Sequence, residues 1–226
     1  MTWLIFGDSH IGAFRCAASN NWIAEECDFT EVGGATAVGL RNPNSLTNAL
    51  ETFRISLLPP RPGAIPVMHL GEVDCGFVIW WRAAQLGEDV DTQLDASISA
   101  YAAFVDELLA AGYHTVVISG ATVPTIKDGQ DWGDVANKRR EVAVPLIDRT
   151  RLTLLYNKRL AQVAARRGCP FIDISEQVLN PETGVIDDQF RADDPADHHL
   201  NAVRAGRLWA EALDAAQDSL ARLKKS

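Results

Sequence analysis

The stretch "TWLIFGDSHIG", residues 2–12, runs a block of apolar and β-branched residues straight into a glycine-flanked turn that carries an acid, a serine and a histidine. The first half reads as a buried strand, and the second half sits where that strand ends. Two incompatible chemistries suit the turn. Ser9 could be a nucleophile whose hydroxyl points out of the sheet edge, or Asp8 and His10 could be metal ligands spaced as Asp-x-His.

Outward from this point the chain repeats one device. "CDFTEVGG" (27–34), "AIPVMHLG" (64–71), "HTVVISG" (114–120) and "CPFIDIS" (169–175) also read as strands, mostly ended by Gly or Ser. Between them, Asp89 to Ala111 sets Val90, Leu94, Ile98, Tyr101, Val105 and Leu108 on one helical face before Gly112 stops it. Arg149 to Arg167 repeats the pattern before Gly168, and the segment from Asn201 onward predicts a C-terminal helix. Strands separated by helices must pair in parallel through right-handed crossovers. The expected fold is therefore an α/β sandwich on a five-stranded parallel sheet, with functional residues at the carboxyl ends of the strands. No internal repeat, low-complexity tract or linker divides residues 1–226, so one domain is expected. "CGFVIWWRAAQLGED" (75–89) and the long segment 121–149 read as surface excursions, the second a candidate lid or substrate wall.

Composition excludes several function classes. At 226 residues and 47% hydrophobic content the chain is long enough to bury a sizeable core. Its formal net charge of −9 repels phosphate backbones and anionic lipid. Lys138-Arg139-Arg140 and Arg166-Arg167 lie in segments that read as solvated helix surface, so neither nucleic acid nor membrane is expected as a partner. No leader pattern and no bilayer-length apolar run is present, and the expectation is a cytoplasmic protein. Cys16, Cys27, Cys75 and Cys169 share no CxxC spacing and read as small hydrophobes rather than zinc ligands or disulfides.

The far end of the chain gives the serine its context. "RADDPADHHLNAVRAG" (191–206) sets acids and two histidines just before the last helix. A histidine needs a carboxylate on one ring nitrogen to act on serine through the other.

With these residues together, the chain resembles the SGNH/GDSL hydrolases along nearly its whole length. "FGDSH" matches the first block of that family, with Ser9 as nucleophile. "VGGATAVG" resembles the second, with Gly34 donating a backbone amide to an oxyanion hole. "LGEVD" stands where the third has Gly-x-Asn-Asp, and "DHHLN" where the last has its Asp-x-x-His. The resemblance implies a flavodoxin-like three-layer sandwich, a serine esterase without metal or other cofactor, and a small-molecule ester substrate, often an acetylated sugar. Two positions depart from the pattern. Val73 replaces the Asn that lends a side-chain amide to the oxyanion. The position three before His199 is Ala196, so the acid is out of register.

Leu200-Asn201 favours His199 as the base, with Asp197 as its orienting acid or Asp194 beyond it; Asp197 is the nearer. Asp197 as a helix cap is the bland alternative. His198 reads as a bystander, and His69 and His114 as structural residues. Glu72 and Asp74 are either acceptors of substrate hydroxyls or turn-stabilising carboxylates. Trp80, Trp81 and Trp132 are candidates to stack on sugar faces, Trp80 and Trp81 with the alternative of packing the loop down, and Trp132 reads as substrate-binding.

Two rivals come from other classes. A metallophosphoesterase begins with Asp-x-His, yet its later Gly-Asp-x-x-Asp, Gly-Asn-His-Asp/Glu and Gly-His-x-His blocks have no counterpart here. A non-catalytic relative, binding a carbohydrate or a partner on a decayed site, is supported by Val73 and opposed by Ser9 with its acid-histidine pair.

Overall fold

In the computed structural model, which describes residues 1–129 and 143–223, Trp3-Leu4-Ile5-Phe6 is buried on both faces, none of the four more than 2% exposed. A strand hidden on both sides needs helices over both faces of its sheet. It belongs to β1 (Thr2–Gly7), followed along the chain by β2 (Glu26–Glu31), β3 (Ala64–His69), β4 (Val117–Ser119) and β5 (Phe171–Ile172). All pair in parallel, in the order β2-β1-β3-β4-β5. This is the five-stranded parallel sheet expected from the alternation of strands and helices.

Among the described residues the helices are α1 (Gly12–Ser19), α2 (Ala49–Leu57), α3 (Ile79–Leu86), α4 (Val90–Ala111), α5 (Leu146–Arg167), α6 (Ser175–Val178) and α7 (Ala202–Leu223). Pleating divides β1 between two cores. Leu4 and Phe6 join Phe53, Leu94, Phe104 and Tyr156 beneath α2, α4 and α5, whereas Trp3 and Ile5 join Phe14 and Trp209 beneath α1 and α7. Phe6 meets Phe53 and Phe104 edge-on at 5.1 and 5.9 Å, and Phe14 stacks on Trp209 at 4.7 Å. The result is three layers.

End signals explain the long helices. Asp89 caps α4 by accepting from the Thr92 amide, and Gly112 and Gly168 close α4 and α5 in the left-handed conformation. The segment 75–89 departs from the expected excursion: a single π-turn (Asp74–Val78) leads into α3. Cys75, Ile79 and Ala83 recur at four-residue spacing and bury one face, a helical signal that the aromatic "WW" obscures. The start of 121–149 is also not surface, since Ala121, Thr122, Val123, Thr125 and Ile126 are buried. All four cysteines are free thiols. Among the described residues, no helix is long and apolar enough to cross a membrane.

Candidate active site

Gly7 ends β1 because nothing larger fits: a Cβ there would stand 1.9 Å from the His69 carbonyl oxygen on β3. The next residues turn over the sheet edge as a short 3₁₀ helix (Ser9–Ile11), capped by Asp8. Asp8 Oδ1 accepts from both the backbone amide and Nδ1 of His10, each at 2.9 Å. Ser9, between them, is half-buried and faces the loop that precedes α7.

That loop is held at several points. Arg191 and Leu200 form an antiparallel bridge, the Ala192 amide donates to the His199 carbonyl, and the Thr125 hydroxyl donates to the His198 carbonyl. Asn201 caps α7 by accepting from the Arg204 amide. The cap is therefore Asn201, and Asp197 is left for the histidine.

Asp197 Oδ1 accepts from the His199 amide at 2.9 Å and from His199 Nδ1 at 2.6 Å. His199 Nε2 lies 2.8 Å from Ser9 Oγ. Burial raises the Asp197 carboxyl, but the hydrogen bonds from the His199 backbone and ring, with the nearby histidine charges, outweigh it and hold its pKa below the ordinary range. An ionised Asp197 can only accept, so the Nδ1 proton points at it and Nε2 is left to accept from Ser9. Asp194 is engaged elsewhere, with the Ala196 amide.

The shift in register has a geometric cause. Asp8-Ser9-His10 and Asp197-His198-His199 are the same turn built twice: in each, one carboxylate oxygen takes both the amide and the Nδ1 of the histidine two residues on. The two histidine rings face each other at 4.8 Å between centroids. His10 forms a wall of the site, a role the sequence reading did not assign it; the repeated Asp-x-His was the available signal. Asp8 Oδ1 orients the His10 ring as Asp197 Oδ1 orients that of His199.

A cleft of about 200 Å³ is lined by Ser9, His10, Ala13, Thr122, His199 and Leu200. Gly34 lies in the turn at the carboxyl end of β2, the strand beside β1, with φ +70° and open space where a Cβ would stand. That turn is tied to β1 by the Val32 amide, which donates to the Gly7 carbonyl.

Two expected substrate contacts are corrected. Asp74 is fully buried. It accepts from the amides of Ala37 and Val38 at 2.7 and 3.0 Å and from the Ser97 hydroxyl at 2.7 Å. It is a turn-stabilising carboxylate, and burial raises its pKa against the pull of those hydrogen bonds. Glu72 is 2% exposed, with its carboxylate 3.8 Å from His10 Nε2, so it faces a buried histidine rather than solvent. Trp132 lies outside the described residues, as do Lys138, Arg139 and Arg140. Trp80 packs against the core with its indole donating to the Cys75 carbonyl, while Trp81 pairs with Phe77 in a second groove of about 640 Å³ that also holds Thr36, Arg41 and Arg82.

His69 is structural, as expected. Its ring bridges Ser119 and Thr122, and burial, opposed by Asp8 and reinforced by His10, lowers its pKa to about 4. His114 is exposed in the turn before β4.

No family model matches the chain, and no curated protein does. Solved structures do. An acylhydrolase from Bacteroides fragilis superposes with TM-score 0.67 at 14% identity, over 97% of this chain and 87% of that one. A GDSL-like lipase from Bacteroides thetaiotaomicron gives 0.63 at 15% identity, over 97% and 88%. An acetyl xylan esterase gives 0.59 at 16% identity, over 96% and 99%. The chain has the three-layer α/β fold of the SGNH/GDSL hydrolases.

Proposed function

We propose that this chain is an SGNH-type serine esterase that hydrolyses an O-acyl ester, in particular an acetyl ester, of a small or carbohydrate alcohol. The observation that carries the reading is the unbroken relay from Ser9 Oγ through His199 to Asp197. Residues at the two ends of a chain are set in hydrogen-bonding order, at the sheet edge where the parallel fold exposes them.

In this reading Ser9 Oγ attacks the ester carbonyl carbon while His199 Nε2 takes its proton. Asp197 stabilises the imidazolium that forms. The tetrahedral intermediate collapses by breaking the bond to the alcohol, which leaves with the proton from Nε2. Water then attacks the acyl-Ser9 carbonyl, again giving its proton to Nε2, and releases the acid and free Ser9. The amides of Ser9 and Gly34 are the oxyanion donors of this scheme. The small cleft favours a short acyl group, and the flat faces of Phe77 and Trp81 favour a sugar in the second groove. No cofactor enters the scheme, and the partner is the small-molecule ester alone.

Val73 supports a second reading, a binding protein that has lost turnover. Treatment with a serine-reactive phosphonate followed by intact mass and peptide mapping separates the two: a single adduct on Ser9 supports the esterase, and no adduct under any condition overturns it. Acetylated saccharides compared with short and long aryl esters then define the substrate.

A further inference from the structure

The site holds a feature that ester hydrolysis does not use. One ring nitrogen from each of His10, His198 and His199 lies within 4.8 Å of the others. The rings form one group, with His198 and His199 at 4.1 Å and His10 and His198 at 5.8 Å between centroids. We propose that these three histidines bind a transition-metal cation of the zinc type, and that the bound cation shuts the esterase off by taking His199 away from Ser9.

Three arguments support the site. Metal-bound histidines characteristically give their other ring nitrogen to a carboxylate, which orients the ring and strengthens it as a ligand. His10 and His199 already do this, with Nδ1 on Asp8 and on Asp197. In that arrangement Nε2 is the atom of each ring that would take the metal, at His199 in competition with Ser9. Imidazole nitrogens also suit zinc better than calcium or magnesium, and three of them with an open fourth position make a complete zinc set. Nitrogens on one zinc stand about 3.4 Å apart at tetrahedral angles, so the widest pair, within 4.8 Å, must close by up to about 1.4 Å. Rotation of the half-exposed His198 and His199 rings supplies that movement. Finally, the Glu72 carboxylate, 3.8 Å from His10 Nε2, adds negative charge beside the atom that would take the metal.

The consequence for chemistry is direct. His199 Nε2 has one lone pair, which accepts from Ser9 or coordinates a metal, not both. Occupancy removes the base without displacing a proton. Metal binding stands on the histidines alone; the inhibition rests on the esterase reading above.

The test is a zinc titration of metal-stripped protein against a chromophoric chelator, run beside hydrolysis of an activated aryl acetate. Wild type is expected to bind one Zn²⁺ per chain with micromolar or tighter affinity, to lose hydrolysis in proportion to occupancy, and to regain it with EDTA. His198→Gln keeps hydrolysis in zinc-free buffer and weakens zinc by about tenfold or more. Ser9→Ala removes the competing hydroxyl and binds zinc at least as tightly. Absence of saturable binding, binding unchanged by His198→Gln, or stimulation of hydrolysis by zinc each overturns the proposal. If zinc-free wild type hydrolyses nothing, the esterase reading fails, and the metal site is judged on the titration of wild type and Ser9→Ala.

Discussion

Ser9 Oγ stands 2.8 Å from His199 Nε2 although 190 residues separate them, and the hydrogen bond joins the end of the first strand to the loop before the last helix. Ser9→Ala removes the hydroxyl at a half-buried turn and leaves the β1 core untouched. It is expected to abolish hydrolysis with no change in the unfolding midpoint. Asp197→Asn replaces the acceptor that fixes the Nδ1 tautomer. Because the Asp197 side chain is 44% exposed, water substitutes in part, so the expected loss in kcat is about 10²-fold, short of the roughly 10⁴ for a buried acid. Steady-state kinetics on both variants check this, and full activity in either removes that residue from the relay.

The adjacent histidines give a sharper comparison. His199 carries both relay hydrogen bonds, whereas His198 holds the loop through its carbonyl, which accepts from Thr125 and survives any side-chain change. His199→Ala is expected to lower kcat by about 10³-fold or more while His198→Ala stays within a few-fold of wild type. An equal or reversed order would move the base to His198.

Asp74 ties the π-turn to the chain segment that follows Gly34. Its two oxygens serve three donors, and Ser97 is shared with the Tyr156 hydroxyl at 3.1 Å. Asp74→Asn sets an NH₂ group against one of those donors, leaving buried groups unsatisfied at a cost of about 1–3 kcal/mol. Denaturant unfolding measures the loss. A change below about 0.5 kcal/mol would mean that the neighbouring turn relaxes freely around the substitution.

These residues show which parts of the site were legible in the sequence. The five strand segments and the three long helices follow from local signals: apolar runs, and glycines after Ala111 and Arg167. That Ser9, His199 and Asp197 would come together could be read because each sits at an element end, where side chains leave the core. Glu72 and Asp74 could not be resolved, because a carboxylate beside a strand end has the same sequence signature whether it faces substrate or takes amides from another loop. The amides that decide the case belong to residues 36 and 37 positions away. The helix within 75–89 was hidden for a different reason, since "WW" at a chain surface and "WW" on a helix differ only in whether Cys75, Ile79 and Ala83 bury a face.

His69 predicts a pH signature of stability. Buried edge-on against the stacked rings of Phe14 and Trp209, it takes a proton only near pH 4, against an ordinary value of 6.5 in the unfolded chain. Between these values the unfolded state binds more protons. Stability therefore rises with pH across that window by up to about 1.4 kcal/mol per unit, and is lost as pH falls through it. His69→Gln cannot titrate. It is expected to lower stability at neutral pH by losing contacts to Ser119 and Thr122, and to flatten the dependence between pH 4 and 6.5. Parallel stability curves for the two proteins would show that His69 titrates alike folded and unfolded.

Val73 carries the last prediction, because it stands where an oxyanion donor is expected and has none to offer. It directly precedes the π-turn at Asp74 and is half-buried. The amides of Ser9 and Gly34 leave the scheme with two donors, and removal of one such donor in other enzymes costs on the order of 10²-fold or more in turnover. The protein should accordingly be slow on generic aryl esters. Val73→Asn adds a side-chain amide at the head of the turn while the Asp74 clamp keeps the backbone in place. Turnover on an activated ester is expected to rise by about tenfold or more with little change in KM, since a donor that engages only the developing charge stabilises the transition state and not the bound ester. A fall in turnover with unchanged stability would mean that Val73 packs against the substrate itself. In that case the alignment of "GEVD" with the third block fails, and the missing donor must come from another part of the cleft.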